Sequence, residues 1–521
     1  MKKKLILIGG STGVGKTKLS LRCKDEFDGY LISCDSMQIY KDMDIGTAKI
    51  TKKEQELYPH ALIDVVCPNE EFSVSDYVNL AKREIEKAYQ QNKVPILVGG
   101  TGLYMKSLLF PYSFSSTVKN EKIREYYKNL ANENGNEFVY EILKQKNPKR
   151  ASLLHPNDVK RVIRSLEIID TIGEFKQDEL VSEYDYKLIV LNCDRKVLYD
   201  RINKRVDEMF DEGLLDEVKN VIKKYNLTKE HQSMKAIGYS EFFDYFEGHK
   251  TLDLVKEKIK QDSRNYAKRQ ITWFKAMPKA KFMSIDNIDE IIKELKIFLN
   301  GIVIAVDGPS ASGKTTICDK LAKRLDINHL SSGALYRAIT LFCKQNSIDV
   351  NLFVNNNKAE IQKILKQINI KVEFEDFIQK IFLNNIDVTN LLNTNEISNM
   401  VCFVSQNLMV REFVRKIQTD LAQKGNIIID GRDITSIVLK DCKNKFFITA
   451  SVQERARRRY EQYNKQIPID KIERDIQNRD KIDQNRELAP LKIVEDAVVI
   501  DSSNLTIEET VDEIIKNLKL D

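Results

Sequence analysis

The chain has 521 residues, a formal net charge of +6, and a composition that is 42% hydrophobic and 31% charged. This length exceeds what one hydrophobic core usually supports, so we expect two or three folded domains, and the small net charge does not by itself indicate a polyanionic partner. The eight cysteines stand singly, without C-x-x-C or Cys/His ligand spacing, which argues against structural zinc and favours reduced thiols.

The amino terminus, MKKKLILIGG, imitates a signal peptide only briefly, because its apolar run stops after a few residues and Lys16 follows within the next turn. No apolar stretch approaches the roughly 18 residues that a membrane span requires. We therefore expect a cytoplasmic protein without a membrane partner.

Strand-like runs at 4–9, 30–34, 94–99 and 187–193 alternate with helical, charge-patterned segments, which predicts an α/β fold with a mostly parallel sheet. The first run leads into a loop that satisfies G-x-x-x-x-G-K-[ST], with the residues Gly10, Ser11, Thr12, Gly13, Val14, Gly15, Lys16 and Thr17. In such a loop, backbone N–H groups converge on phosphate oxygens, the lysine neutralises charge, and the threonine hydroxyl can hold Mg²⁺. The motif predicts a phosphate site without specifying the compound.

Asp35 directly follows the second strand-like run, at the rim where α/β sheets bind ligands. From the residues alone it could be a catalytic carboxylate, a magnesium ligand or a helix cap. Thr101, in VGGTG after another run, could be a capping hydroxyl. Arg201 and Arg205 lie four apart on one predicted helix and could be solvated charges.

Seven ordered blocks across residues 1–300 resemble those of bacterial tRNA dimethylallyltransferases: DSMQIYKDMDIGTAK, HALIDVV, PILVGGTGLYMKSLL, HPNDVKRVIRSLEI, RINKRVDEMFDEGLLDEV, AIGYSEF and YAKRQITWF. That family transfers dimethylallyl from dimethylallyl diphosphate to N6 of the adenosine immediately 3′ of the anticodon. The resemblance implies that Asp35 accepts the proton of the amine. It also implies that Thr101 faces substrate, and that Lys16, Arg205 and Mg²⁺ at Thr17 stabilise the departing diphosphate.

The resemblance also implies a tRNA partner, gripped at its anticodon stem-loop. Residues 111–185, helical and charged, are expected to be an inserted tRNA-binding subdomain. Basic residues at 144–150 and at 266–275, the latter interleaved with Tyr266, Trp273 and Phe274, suit phosphate contacts and base stacking. The residues expected to bind tRNA are Asp35, Ser36, Met37, Gln38, Arg124, Lys160, Arg161 and Arg164.

A strand-like piece and an amphipathic helix fill 278–300, and we place a domain boundary at Asn300–Gly301, giving domains 1–300 and 301–521. The strand pattern then restarts at 301–307, with further apolar runs at 426–430, 444–449 and 496–501. A second phosphate loop follows, made of Gly308, Pro309, Ser310, Ala311, Ser312, Gly313, Lys314, Thr315 and Thr316.

Five blocks in the second domain resemble bacterial cytidylate kinases: AVDGPSASGKTT, SSGALYRAIT, IIIDGRDI, QERARRRYEQ and NRDKIDQNRELAPLKIVEDAVVIDSS. Such kinases have a nucleoside monophosphate kinase fold with a mobile lid and move the γ-phosphoryl of ATP to CMP or dCMP. The resemblance assigns the phosphate-loop roles to Lys314 and Thr315, and a second-shell magnesium role to Asp430. It implies that CMP binds at Arg337, Arg411, Arg432, Asp433, Arg479, Asp483 and Arg486.

Two positions depart from the kinase pattern. The family's DSGA or DTGA reads SSGA here, so Ser331 replaces a carboxylate, and a serine that contacts the base in the family aligns with Cys402, near Ser405. In the predicted lid, Arg455 and Arg457 could simply face water.

Three alternatives for the function stay open: a tandem ATPase, an adenylate isopentenyltransferase in the first half, and a second half that has become a nucleotide-binding or structural module. The oligomeric state is not indicated.

Overall fold

The computed structural model describes residues 2–110, 120–173, 181–355, 357–463 and 465–520. It divides into two compact units, Met1–Ile292 and Lys293–Asp521. Within the described ranges, no helix is long and apolar enough to cross a membrane.

The first unit contains a six-stranded sheet in the order β3-β2-β4-β1-β5-β6, with every neighbouring pair parallel. Its strands are β1 (Lys3–Gly10), β2 (Gly29–Ser33), β3 (His60–Ala61), β4 (Val94–Val98), β5 (Tyr184–Asn192) and β6 (Ala280–Ser284). The central position of β1 is fixed by pairing on both sides, for instance Leu7 with Leu97 and with Leu188. Because all strands run in one direction, their carboxyl ends meet at one edge, where ligands bind in such sheets.

Helices join these strands and cover the sheet. They are α1 (Lys16–Phe27), α2 (Lys52–Leu57), α3 (Val74–Gln90), α4 (Gly102–Leu109), α5 (Glu121–Asn134), α6 (Asn136–Lys146), α7 (Pro148–Ala151), α8 (Val159–Ile172), α9 (Arg195–Asp211), α10 (Leu214–Tyr225), α11 (Phe242–Phe246), α12 (Leu252–Lys275) and α13 (Ile288–Asn300). The division between the two units falls inside α13.

Apolar strands and amphipathic helices build the core of the first unit. Leu5 and Leu7, two residues apart on β1, point to the same face and join Leu97 and Leu188 in one buried cluster. Helix α3 adds Tyr77 to this cluster, and its start is fixed by a reciprocal cap between Ser73 and Asp76. The core therefore fixes the strand ends that carry Asp35 and Thr101.

Helices α5 to α8 form a small helical subdomain with its own buried cluster, which includes Tyr127, Val139, Leu143, Val162 and Leu166. This subdomain lies in the stretch where a tRNA-binding insertion over 111–185 is predicted. Of that prediction, 111–119 and 174–180 lie outside the described residues. Strand β5 begins again at Tyr184.

The second unit contains an eight-stranded sheet in the order β11-β10-β8-β12-β7-β13-β14, with β9 paired to β10. Its strands are β7 (Val303–Asp307), β8 (Asn328–Ser331), β9 (Ile370–Glu375), β10 (Ile378–Leu383), β11 (Ile386–Asp387), β12 (Ile427–Gly431), β13 (Asn444–Thr449) and β14 (Val498–Asp501). The pairs from β10 to β14 through β8, β12, β7 and β13 are parallel, whereas β9 and β11 lie antiparallel to β10.

The helices of the second unit after α13 are α14 (Lys314–Leu325), α15 (Ser332–Gln345), α16 (Asn351–Val354), α17 (Lys358–Lys366), α18 (Asn395–Ser405), α19 (Leu408–Ala422), α20 (Val452–Gln462), α21 (Ile469–Gln484) and α22 (Ile507–Lys516). Separate buried clusters cover the two faces of the sheet, one containing Leu330 and Ile429 and the other Ile304 and Ile428. The predicted α/β class with mostly parallel sheets is confirmed in both units.

Two candidate active sites

The first phosphate loop joins β1 to α1, and its backbone requires glycine. Gly10 has φ 139°, and a Cβ added there would lie 2.8 Å from the Leu191 carbonyl oxygen. Helix α1 begins at Lys16, whose ammonium donates to the carbonyls of Gly10 (3.1 Å) and Ser11 (2.7 Å). The loop thus holds its lysine over a helix amino terminus, which suits an anion.

The carboxyl ends of β2 and β4, which are paired in the sheet, bring Asp35 and Thr101 to the same edge. The Asp35 carboxylate accepts from the Met37 N–H (2.9 Å), and the Thr101 hydroxyl accepts from the Ser36 N–H (3.0 Å). Backbone N–H groups of the turn after β2 therefore hold both side chains. Asp35 caps the turn after β2, and it also lines a cavity at this edge of the sheet.

A cavity of about 550 Å³ opens at this edge of the first unit. Its polar lining includes Lys16, Thr17, Asp35, Gln38 and Arg205. A further part of its lining, the aliphatic wall, consists of Ile50, Ile63, Val98, Ile202, Val206, Met209, Ile237 and Ile259. Other polar side chains, including Ser263, Tyr266 and Arg269, also line the cavity. One cavity therefore joins an anion-binding loop and a carboxylate to a surface that suits a hydrocarbon chain.

Helix α9 brings Arg205 into this cavity. Asp194 caps the start of the helix, and Ile202 and Val206 are buried on its inner face. Arg205 donates to the Thr12 hydroxyl (3.3 Å) and to the Ala48 carbonyl (3.3 Å). Arg201, one turn earlier, is exposed and does not line the cavity, so only one of the two predicted arginines reaches the site.

Burial and neighbouring charges set the electrostatics of the first cavity. Burial, together with Arg205, lowers the pKa of Lys16 to about 8, although Asp35 opposes the shift. Burial also lowers the pKa of Arg205, and burial next to Asp35 raises the pKa of Tyr266 to about 12. Because burial destabilises the charged forms of Lys16 and Arg205, a bound anion stabilises both of these charged forms strongly.

Two polar side chains that sequence reasoning missed support the first cavity. Gln270, from α12, accepts from the Thr12 N–H (3.0 Å) and donates to the Gly100 carbonyl (3.0 Å), so it joins the phosphate loop to the end of β4.

Glu217, from α10, is the second such side chain, and it accepts from the amides of Asp44 (2.9 Å), Ile45 (2.7 Å) and Gly46 (3.0 Å). The Tyr239 hydroxyl also donates to Glu217, at 2.6 Å. Glu217 thus fixes a loop that lines the cavity.

The predicted tRNA-binding residues of the helical subdomain lie on α5 and α8. Arg124 and Arg164 both contact the buried Glu167, each at 2.7 Å. Burial alone would raise the pKa of Glu167, but hydrogen bonds from Arg164 and Arg124 hold it below its usual range. Lys160 and Arg161 are exposed, and Arg161 contacts Asp158 at 3.1 Å.

The aromatic residues of α12 differ in accessibility. Tyr266 lines the cavity, and Trp273 is half-buried beside Gly102, with the Lys106 ammonium 5.7 Å from its ring centre. Phe274 is fully buried, and a Cβ at Gly9 would lie only 2.6 Å from its ring. The expectation that Phe274 is available for base stacking is therefore wrong, because the ring fills the core beneath β1.

The second phosphate loop repeats the first arrangement with a more buried lysine. Gly308 has φ 155°, and a Cβ there would lie 2.0 Å from the Ile448 carbonyl oxygen. Lys314 begins α14 and donates to the carbonyls of Gly308 and Pro309, both at 2.8 Å. Burial, together with Arg432, lowers its pKa to about 7.

A cavity of about 340 Å³ adjoins this loop. Its basic lining residues are Lys314, Arg337, Arg411, Arg432, Arg459, Arg479 and Arg486, and its acidic ones are Asp430, Asp433 and Asp483. Every residue predicted to bind CMP therefore lies on one cavity, with Thr315 also in its wall. Aliphatic side chains are few there, in contrast to the first cavity.

Basic side chains outnumber acidic ones in the lining of this cavity, seven to three. The Arg337 Nε is buried and has no hydrogen-bond partner among the described residues. Burial and nearby arginines lower the pKa of Arg337 and of Arg479. Asp483 contacts both Arg432 (3.0 Å) and Arg486, and so orients two guanidinium groups. An excess of positive charge around one cavity suits the binding of several phosphates.

Arg411 and Asp433, which also line the cavity, form an ion pair that is largely buried. The Arg411 guanidinium also donates to the Ser405 carbonyl (2.9 Å). Ser405 lines the cavity, whereas Cys402 is exposed outside it, and its thiol donates to the Asn399 carbonyl (3.0 Å). Of the two residues considered at this position, the structure brings Ser405 into the site.

Helix α20 carries the arginines of the predicted lid. Arg457 is exposed and contacts Glu454 at 2.7 Å. Arg455, in contrast, is 4% exposed, donates to the Ser310 carbonyl of the phosphate loop (3.1 Å), and contacts Asp480 at 2.7 Å. The alternative that Arg455 faces water is therefore wrong, because its guanidinium is buried and hydrogen-bonds to the phosphate loop.

The fold and the two cavities define the chain as two α/β phosphate-loop units, each equipped to bind a phosphorylated substrate. The family model described as IPP transferase matches residues 38–277, and the one described as Cytidylate kinase matches residues 304–520. A tRNA dimethylallyltransferase of Thermoanaerobacter sp. (strain X514) is 44% identical over 308 residues, covering 57% of this chain and 98% of that protein.

Two solved structures are similar to the first part of the chain. A full-length tRNA isopentenylpyrophosphate transferase of Bacillus halodurans is 40% identical, with a TM-score of 0.45, over 57% of this chain and 97% of its own. A eukaryotic dimethylallyltransferase acting on tRNA is 29% identical, with a TM-score of 0.52, over 57% of this chain and 80% of its own. The chain belongs to the tRNA dimethylallyltransferase family through its first unit, and a cytidylate kinase domain is fused after it.

Proposed function

We propose that the chain carries two transferase activities. The first unit transfers the dimethylallyl group of dimethylallyl diphosphate to N6 of the tRNA adenosine immediately 3′ of the anticodon. The second unit transfers the γ-phosphoryl group of ATP to CMP or dCMP. The observation that carries the proposal is the difference between the two cavities: one phosphate loop adjoins an aliphatic wall and a carboxylate, and the other adjoins a cluster of arginines.

In the first unit, the diphosphate of the donor would bind the loop amides and Lys16, with its hydrocarbon part on the aliphatic wall. The adenine must leave the stacked anticodon loop to reach this cavity, which costs a few kcal/mol that backbone contacts on the basic helical subdomain would offset. Its amine attacks the first carbon of the dimethylallyl group as the carbon–oxygen bond breaks. Asp35 takes the proton, and Lys16 and Arg205 stabilise the departing diphosphate.

In the second unit, the phosphate loop would hold ATP, and the arginine cluster would hold the monophosphate of CMP. A phosphoryl transfer requires mainly positioning and charge neutralisation, which Arg337, Arg432 and Arg486 provide as bidentate donors. Asp433, fixed by Arg411, would accept from the amino group of cytosine. Arg479 and Asp483 would contact the ribose.

Both cavities offer oxygen donors of the kind that Mg²⁺ prefers. Thr17 and Asp35 line the first, and Thr315 and Asp430 line the second. Thr17 and Thr315 would hold the ion, with Asp430 orienting its water shell. When bound, Mg²⁺ supplies charge neutralisation to the phosphate oxygens.

The prenyl transfer is tested by incubating the intact chain with unmodified tRNA and dimethylallyl diphosphate and analysing the tRNA nucleosides by mass spectrometry. We expect one dimethylallyl adduct at the adenosine 3′ of the anticodon, abolished by Asp35→Asn. A product formed on free AMP and not on tRNA would assign the unit to the adenylate isopentenyltransferases instead. Release of inorganic phosphate from ATP without prenyl transfer would favour an ATPase.

The kinase activity is tested with a panel of nucleoside monophosphates in a coupled assay for ADP. We expect CMP and dCMP to give the highest kcat/KM and Lys314→Ala to abolish the reaction. A ranking led by UMP, or an equal rate for all nucleotides, would refute the assignment. No reaction at all, combined with binding of ATP, would identify the unit as a nucleotide-binding module.

A further inference from the structure

A buried histidine in the second unit has a role that no sequence motif indicated. His329 lies on β8, which pairs with β12, and its side chain is 2% exposed. Its Nδ1 is 2.6 Å from a carboxylate oxygen of Asp319, and its Nε2 is 3.0 Å from a carboxylate oxygen of Asp430. The ring therefore links an acidic residue of α14 to the acidic residue near the end of β12.

This geometry requires the ring to donate from both nitrogens. A neutral imidazole donates from one nitrogen only, so the other would point a lone pair at a carboxylate oxygen. An imidazolium satisfies both carboxylates with charge-assisted hydrogen bonds. Burial alone would lower the pKa of His329, but Asp319 and Asp430 together raise it to about 9. The two carboxylates therefore enclose a fixed cation.

Asp430 is the member of this chain of contacts that reaches the cavity, whereas His329 does not line it. Burial raises the pKa of Asp430, but His329 and the Lys314 ammonium outweigh that effect and hold it below its usual range. Ser331, at the neighbouring strand end, stands where the kinase pattern has a carboxylate. Asp430 is consequently an acidic side chain of the cavity that acts on the loop lysine, as the buried Asp307 also does, and its carboxylate is held by hydrogen bonds from His329 and Ser331.

We propose that His329 is a positioning residue for phosphoryl transfer in the second unit, and this inference rests on the kinase function proposed above. Backed by Asp319, it holds one oxygen of Asp430 so that the carboxylate faces the cavity and orients the water shell of Mg·ATP. His329 acts through Asp430 and contacts no substrate. Its loss therefore weakens the contribution of Mg²⁺ more than the binding of CMP.

The test compares His329→Leu, which removes both donors, and His329→Gln, which keeps a neutral donor, with Asp319→Asn as the matched control that leaves the contact between His329 and Asp430. For His329→Leu, the Mg²⁺ concentration for half-maximal kinase rate should rise on the order of tenfold, since a hydrogen bond to a buried charge is lost. The KM for CMP should stay within about twofold, and His329→Gln and Asp319→Asn should give smaller shifts. Should His329→Leu fail to fold, His329→Gln decides the outcome. Prenyl transfer by the same chain reports whether the rest of the molecule is intact.

A binding measurement separates this role from a structural one. A non-hydrolysable ATP analogue is titrated into the intact chain carrying Lys16→Ala, so that only the second loop reports, with Mg²⁺ and then with EDTA. His329→Leu should lose the affinity gained with Mg²⁺ and retain the metal-free affinity. An equal loss in both conditions, or no change in either, would overturn the inference. If the parent chain phosphorylates no nucleotide, the proposed function fails, while the Mg²⁺-dependent binding still decides the role of His329.

Discussion

Replacing Gln270 by alanine tests how the first phosphate loop is held in register with the end of β4. The side chain is 4% exposed, and its two hydrogen bonds reach Thr12 on the loop and Gly100 at the strand end. The side chain of Gln270 packs closely against Gly100, since a Cβ added at Gly100 would lie 2.1 Å from the Gln270 amide nitrogen. Alanine at 270 therefore leaves an amide and a carbonyl without their partner.

The magnitude follows from these two contacts. Each net hydrogen bond contributes about 1 kcal/mol, and a buried group left without a partner costs about 1–3 kcal/mol. Because Thr12 lines the cavity, water can reach its amide, and the buried Gly100 carbonyl carries most of the cost. We expect Gln270→Ala to destabilise the first unit by about 2 kcal/mol, which corresponds to roughly 4–8 °C in Tm for a domain of this size. Prenyl transfer should fall more than tenfold, because the Gln270 side chain no longer links the phosphate loop to Gly100, the residue before Thr101.

The sequence offers a convenient assay, since Trp273 is the single tryptophan of the chain and lies one turn from Gln270 on α12. Its fluorescence follows unfolding of the first unit alone, while CMP phosphorylation serves as an internal control. Gln270→Glu should be worse than alanine, because a carboxylate oxygen would face the Gly100 carbonyl. Thr272→Ala, on the exposed side of the same helix, is the matched control. Unchanged melting and activity within twofold of that control would refute the bracing role.

Three further predictions concern other polar contacts. Glu217→Gln, which weakens the acceptor of three loop amides, should lower prenyl transfer about tenfold and leave the kinase unchanged, as measured in the two assays on one preparation. Asp433→Ala, which frees Arg411, should reduce kcat/KM for CMP at least tenfold and narrow the preference over UMP in the nucleotide panel; a preserved ranking would contradict its role. The lowered pKa of Glu167 predicts stability that is present above its unfolded pKa, about 4.3, and lost as pH falls through the folded value. Urea unfolding at pH 6 and pH 3 should therefore show a smaller acid-induced loss in Glu167→Gln than in the parent chain; equal losses would contradict this sign.

The sequence predicted the central apolar strands of both sheets because each of them is a local signal, whereas several other strands were not expected. The runs expected at 4–9 and 444–449 correspond to Lys3–Gly10 and Asn444–Thr449, since β-branched and apolar residues mark buried strands. Strand β8 was missed because four residues, NHLS, are too few and too polar to stand out. The hairpin of β9 and β10 was not expected either, although its alternating pattern was available in the sequence.

The residues of the candidate sites also fall into two groups: those that a local sequence pattern identifies and those that it does not. Lys16 and Lys314 belong to contiguous motifs, so their spacing alone identifies them. Gln270, Glu217 and His329 could not be identified in this way, because each acts on backbone or side chains far away in sequence; Gln270 and Thr12 are separated by 258 positions. Only the fold brings such partners together, and a single sequence has no period that reveals them.

The aliphatic wall of the first cavity also bears on which nucleophile wins. As the allylic carbon–oxygen bond breaks, the carbon becomes electron-poor, and any water nearby would capture it and yield an alcohol. The side chains of Ile237, Ile259 and the other members of the aliphatic wall offer water no hydrogen-bond partner, so a hydrocarbon bound against them would be shielded there, whereas Ser263 and Tyr266 also line the cavity and can bind water. The aliphatic side chains would thus favour transfer to the tRNA amine over capture by water, although none of them takes part in the reaction.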